Sequence, residues 1–290
     1  MPPSIAEVCS QALDLPSAPV LMPRILRVLS SADSSTQEFE QVIRLDTALA
    51  ASTLRLANSA YFSAGHGRAD NLEEAILRLG QREVYRLAAL ALTGRWMNTP
   101  VEGFGWEPGD FCRRSLVTAV AAELLAERTG RVESAVAYTA GLVHEIGKLA
   151  VANACSTCFA EVRRRQQEDG VTWLEAERRV LGYTHAEVGA RLLRGWNFPA
   201  VLVAAAEHNP PRPDCPADAL PLLVHVHAGK FLATSMGPGA GEDGFLFELN
   251  APLLAEWGLG SEVLTAALPE IFERASAIMQ EKLTYGELSF

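Results

Sequence analysis

Four times along this chain a residue suited to capping a helix stands three positions before a glutamate: Ser4 and Glu7, Ser35 and Glu38, Asn71 and Glu74, Thr184 and Glu187. At that spacing the first side chain accepts from the backbone of the opening turn while the glutamate reaches back to the cap. A chain punctuated in this way is committed to helices. Between the caps, apolar residues recur at helical spacing. Asp46 is placed to cap the run Thr47 to Ala60, with Leu49, Thr53, Leu56 and Ala60 on one stripe. Asp110 is placed to cap a helix running toward Gly130, with Leu116, Val120, Leu124 and Leu125 on one stripe. Val224 to His227 alternates apolar and polar residues, but Leu220 to Leu232 fits a buried helix equally well. Sustained alternation is otherwise rare, so the expected fold class is all-α.

Size and charge narrow the options. With 290 residues and 49% hydrophobic content, the chain can bury one large core or two small ones. No apolar run approaches the roughly 20 residues of a membrane span, and no basic-then-apolar leader opens the chain. Five cysteines, an odd number, do not form a disulfide framework, so a cytoplasmic location is expected. The net charge of -10 argues against nucleic-acid binding, which needs a basic surface. Cys155 and Cys158 have the spacing of a zinc or redox pair, but there is no second pair and they follow a helix. The segment Thr99 to Pro108, with two Pro and two Gly, separates a half of residues 1–98 from one of residues 99–290. Asn209 to Pro213 reads as a rigid turn, and Gly237 to Gly241 as a flexible surface loop.

The chemistry concentrates in Gly141-Leu142-Val143-His144-Glu145-Ile146-Gly147-Lys148-Leu149. An adjacent His and carboxylate can hold a divalent metal. Gly147 lets another backbone approach closely. Lys148 lies four residues after His144, on the same helical face, where it could meet a phosphate but is expected to be solvated. His144 itself reads first as a hydrogen-bonded core histidine. His185, in the first turn of its helix, reads as a surface residue, and His225 and His227 would straddle a helix. The 25 cationic residues include only three lysines, Lys148, Lys230 and Lys282, one of them inside this motif.

Five motifs follow one another in fixed order: Leu45 to Leu49, Leu54 to Ala60, Ala75 to Gly80, Gly141 to Leu149, and Glu177 to Trp196. Together, across residues 14–235, they resemble the HDOD family, bacterial output domains related to the HD phosphohydrolases. The resemblance implies a two-lobed helical fold, with residues 1–98 as the N-terminal lobe. Residues 99–290 would be an HD-like helical bundle with a C-terminal extension. HD hydrolases hold a metal with a His on an early helix, a His-Asp pair and a late Asp. Carried over by the resemblance, these positions fall at Arg114, at His144-Glu145 and at Gly229. The His-His pair of many relatives falls at Glu207-His208. Arginine has no lone pair to donate, and glycine has no side chain.

The expectation is therefore no metal, no cofactor and no catalysis. A metal, if one bound, would use His144, Glu145, His185 and His208. Arg114 is expected to set its guanidinium beside Glu145 and His144, in the space a cation would hold. Arg114, His144, Glu145, Lys148, His185 and His208 then outline a vestigial ligand pocket. The implied function is a non-catalytic signalling module that acts through protein partners or ligand sensing. Those partners would be signalling proteins, with a link to cyclic-dinucleotide pathways; a homodimer is compatible, and neither nucleic acid nor membrane is expected. The alternative is a metal-dependent phosphohydrolase or phosphodiesterase with an unusual ligand set. A third reading is a nucleotide sensor that keeps the old pocket without turnover.

Overall fold

The computed structural model describes residues 2–13, 21–29, 35–45, 47–59, 62–63, 68–88, 101–107, 109–212, 214–236, 241, 243 and 249–286. Among these residues regular structure is helical, and the extended pairing is one isolated bridge between Val101 and Trp106. The chain is all-α. No helix among the described residues is long and apolar enough to cross a membrane.

The caps form as their spacing predicts. Ser35 and Glu38 close a reciprocal box. The Asn71 side chain accepts from Glu74 N–H at 2.8 Å. Glu187 accepts from Thr184 N–H at 2.8 Å, and Ser4 and Glu7 pair in the same manner. A further box, Thr172 with Glu175, opens the helix that begins at Trp173. Asp46 lies outside the described residues. Asp110 is not a cap: Gly109 takes that place, and the Asp110 carboxylate accepts from Glu107 N–H at 3.1 Å.

The chain divides into two compact units. One comprises Pro16–Trp96 and Trp196–Phe198. It contains α2 (Leu21–Leu29), α3 (Thr36–Ile43), α4 (Thr47–Ala57), α5 (Leu72–Leu79) and α6 over residues 81–88. Its core holds Phe39, Ile43, Leu49, Leu56, Ile76 and Tyr85. Between α4 and α5, the Asn58 amide pairs with Ala69, donating to its carbonyl at 2.9 Å and accepting from its N–H at 2.7 Å.

The other unit comprises Met1–Leu15, Met97–Gly195 and Pro199–Phe290. It begins with α1 (Ile5–Leu13) and continues through α7 (Asp110–Thr129), α8 (Ser134–Val143), α9 (Ile146–Ala154), α10 (Phe159–Asp169) and α11 (Trp173–Leu181). Then come α12 (His185–Gly195), α13 (Ala200–Glu207), α14 (Leu220–Ser235), α15 (Ala251–Glu256) and α16 (Ser261–Gly286). The segment Val224 to His227 thus belongs to a helix. α7 is the axis, packed by α8, α14 and α16, with Leu116, Val120, Leu124 and Leu125 buried.

Glycines let these helices meet backbone to backbone. A Cβ at Gly229 on α14 would lie 2.8 Å from the Thr118 carbonyl of α7. At Gly147 on α9 a Cβ would lie 1.9 Å from the His185 carbonyl and 2.5 Å from Gly189 N of α12. Both obstacles are backbone, so neither can rotate away. Gly147→Ala is expected to destabilise by at least about 3 kcal/mol, the upper range for an overpacked core. Gly260→Ala, with no neighbour within 4 Å, is the control. Urea midpoints that fall equally for both would contradict this.

Candidate functional site

Between α8 and α9 the chain turns at His144 and Glu145. Lys148 therefore does not share a helix with His144, as the four-residue spacing suggested. It sits in the first turn of α9, three residues beyond Glu145. Nor is it solvated: its relative exposure is 0%. Its ammonium donates to Glu145 Oε1 at 2.5 Å and to Asp243 Oδ2 at 2.5 Å. Its Nζ also lies 4.7 Å from the Trp106 ring centre and 5.4 Å from that of Phe104. Two carboxylates and two aromatic faces replace the water a lysine head normally requires.

Two more cations converge on Glu145. Lys230 of α14 brings Nζ to 2.8 Å from Oε1. Arg114 of α7 brings Nε to 3.5 Å from Oε2, and its guanidinium carbon lies 5.5 Å from the Trp106 ring centre. Arg114 does stand beside Glu145, but the two lysines hold the shorter contacts. Burial by itself would raise the Glu145 pKa; Lys148, Lys230 and Arg114 overcome it and hold the carboxyl well below its usual range. Asp243 follows the same pattern: burial pushes it up, and Lys148 and Arg114 bring it down. The Lys230 ammonium is pushed below its usual pKa by burial, against the pull of Glu145 and with repulsion from Lys148 and Arg114.

His144 is a buried histidine with one satisfied nitrogen. Its Nδ1 lies 2.8 Å from the Gly141 carbonyl. A carbonyl only accepts, so Nδ1 carries the proton. Burial lowers the pKa of the ring to about 3, with Glu145 opposing. Nε2 therefore presents a lone pair; it has no hydrogen bond among the described residues and lies 3.9 Å from Glu145 Oε2.

The remaining expected residues lie elsewhere in the fold. His185 is buried, not superficial, because Glu177 accepts from both its N–H and its Nδ1, at 2.9 and 2.8 Å. Glu177 also accepts from Trp173 Nε1 at 2.9 Å, which makes it a packing hub. His208 ends α13 and makes no polar contact with Glu145 among the described residues. Its neighbour Glu207 pairs with Arg194. His225 bridges the Pro221 carbonyl and Thr129, whereas His227 accepts from Asn250 N–H. Cys155 is buried against Tyr183, and burial raises its thiol pKa, the opposite of an activated thiolate.

Two members of the cluster escaped the sequence reading. Lys230 was passed over in favour of Gly229. Gly229 faces the α7 backbone, and the next residue on α14 reaches Glu145. The scarcity of lysine could have found it, since two of the three lysines meet here. Asp243 gave no signal. It follows a glycine-rich stretch read as a flexible surface loop. Residues 237–240 lie outside the described residues, but Gly241 is buried so tightly that a Cβ would lie 2.0 Å from Trp106 Nε1.

A divalent metal does not fit this arrangement. Glu145 Oε1 already accepts from two ammonium groups, and Arg114 flanks the other oxygen. Three cations in contact would repel a fourth. Among the described residues no group of three His, Cys, Asp or Glu converges on one point.

Residues 15–210 match the family model of the HDOD domain. A curated protein of Treponema pallidum, of uncharacterised function, is 25% identical over 222 residues, covering 76% of this chain. The chain spans only 42% of that relative's length. A crystal structure from Marinobacter aquaeolei, of a protein named for signal transduction, superposes with a TM-score of 0.72 at 25% identity, covering 93% of this chain and 60% of that one. Another from Shewanella amazonensis, of a protein named as a phosphohydrolase, gives 0.61 at 26% identity, covering 92% and 93%.

Proposed function

The chain belongs to the HDOD domain family, and on that premise we propose that it is a non-catalytic signal-transduction module. It acts by engaging signalling proteins or by sensing a ligand, in pathways linked to cyclic dinucleotides. One observation carries this reading. The carboxylate that follows His144 is consumed by Lys148, Lys230 and Arg114. A hydrolytic metal centre needs an open coordination position and an activated water; here fixed cations stand around the only carboxylate of the motif.

The competing reading, a metal-dependent phosphohydrolase, draws on the name of the Shewanella relative and on the unpartnered Nε2 of His144. The purified protein is expected to turn over neither cyclic dinucleotides nor nucleoside phosphates, with or without added manganese or iron. It is also expected to retain no stoichiometric metal by elemental analysis. Turnover that disappears in His144→Ala would establish the competing reading.

A further inference from the structure

α2 and α3 pack by burying Ile25 and Leu26 on one and Phe39 and Ile43 on the other. Beside this seam lies a groove of about 540 Å3, lined by Arg24, Arg27 and Val28 of α2 and by Glu38, Val42 and Leu45. Apolar side chains scattered singly over a surface need no explanation. Here Leu45, 60% exposed, lines one groove with Val28 and Val42. Arg24 and Arg27 stand one helical turn apart in the same lining, and neither guanidinium forms an ion pair among the described residues. The Glu38 carboxylate is taken up by its own cap, where it accepts from Ser35 N–H at 3.2 Å.

The opposite chemistry is exposed on α16. This helix packs on α7 and buries Leu264, Ala267, Ile271 and Ala275. Phe272 points away from that face and is 65% exposed, with Glu273 exposed next to it. Glu270 is engaged by Arg128 and Arg274, whereas Glu273 forms no ion pair among the described residues. An aromatic ring beside an uncommitted carboxylate complements an apolar groove bordered by two uncommitted guanidinium groups. Aromatic and arginine side chains are also the ones that most often anchor protein interfaces.

We propose that the groove between α2 and α3 is a docking site for a second copy of this chain. Phe272 of one copy seats on Val28, Val42 and Leu45 of the other, and Glu273 meets Arg24 and Arg27. A chain of net charge -10 repels its own kind over most of its surface, so two copies associate only where one offers cations. The planar fork of an arginine suits a carboxylate, and Glu273 supplies one. The contact joins two different surfaces, so it is heterologous: it closes into a pair when each copy fills the groove of the other, and otherwise builds a ring or an open chain. This inference does not depend on whether the domain signals or hydrolyses.

The test is sedimentation equilibrium of the full chain, with circular dichroism to show that each variant is folded. The unmodified protein is expected to associate as its concentration rises. The groove variant Arg24→Glu, Arg27→Glu and the helix variant Glu273→Arg are each expected to associate at least tenfold more weakly, as is Phe272→Ser. All four substituted positions are exposed, so folding is not at stake. Mixing the groove variant with the Glu273→Arg variant should restore association. In the mixed pair every groove meets a helix of opposite charge. An unmodified protein that stays monomeric at about 200 μM, where even a weak contact is populated, would overturn the proposal and leave the groove to a different protein. Association that survives in the groove variant would place the contact elsewhere. A mixture no more associated than its two components would overturn the pairing of the groove with α16.

Discussion

Glu145→Gln is expected to destabilise the protein by roughly 3–5 kcal/mol, the cost of breaking a buried ion pair by removing one partner. At about 2–4 °C per kcal/mol for a chain of this size, the Tm should fall by about 10 °C. The substitution changes almost no volume, so packing is not the cause. It leaves Lys148, Lys230 and Arg114 with Asp243 as the one carboxylate among the described groups, in a site where the Glu145 and Lys148 side chains are 3% and 0% exposed. The control is Glu161→Gln on α10. Glu161 pairs with Arg164 and Arg165 at the surface, with side-chain exposure of 42%. A surface pair of this kind contributes at most about 1 kcal/mol. Thermal melts in which both variants lose the same few degrees would show that the cluster is not held together by Glu145.

Acid should weaken the fold well before the carboxylates titrate. His144 and His227 are held neutral by burial, with pKa values of about 3 and about 4, against an ordinary value of 6.5. Both folded values are depressed. The stability they contribute is therefore complete above pH 6.5, and is lost as pH falls from there toward the folded values. Between about pH 6 and pH 4.5 each ring takes up close to one proton on unfolding. Each then removes about 1.4 kcal/mol of stability per pH unit. Glu145 and Asp243 act in the same direction, but only below the ordinary carboxylate range, because their folded pKa values are lowered too. Urea denaturation at pH 7.5, 6.0, 5.0 and 4.5 measures the slope. Burial lowers the pKa of His225 as well, so His144→Asn, which retains a donor for the Gly141 carbonyl, should remove between about a third and a half of it. A stability that stays level from pH 7.5 to pH 5 would contradict the neutral burial of these rings.

By itself, the sequence determined that the chain is helical and where several of its helices begin. Capping is a local matter of three or four residues, so Ser35-Glu38 and Asn71-Glu74 could be read without knowing what surrounds them. It also determined that Gly147 faces another backbone, and that Arg114 stands beside Glu145. The first follows from the missing side chain; the second came through the family resemblance and the need of a buried carboxylate for a cation. The boundary at His144 was not legible. A run of apolar residues on either side hides the turn that places Lys148 in a new helix.

Only the tertiary structure decided what surrounds Glu145. Lys148 looked solvated because a lysine four residues from a histidine has no local reason to be buried; its reasons are Asp243, 95 residues away, and the rings of Phe104 and Trp106. Lys230 and Gly229 are neighbours in sequence, yet one reaches the carboxylate and the other presses on α7. A rotation of about 100° per residue around α14 separates them, and only the packing of α14 fixes where that rotation starts. Local chemistry writes helices into a sequence. Charge compensation in a buried site is a sum over distant residues, and the fold alone brings those residues within reach.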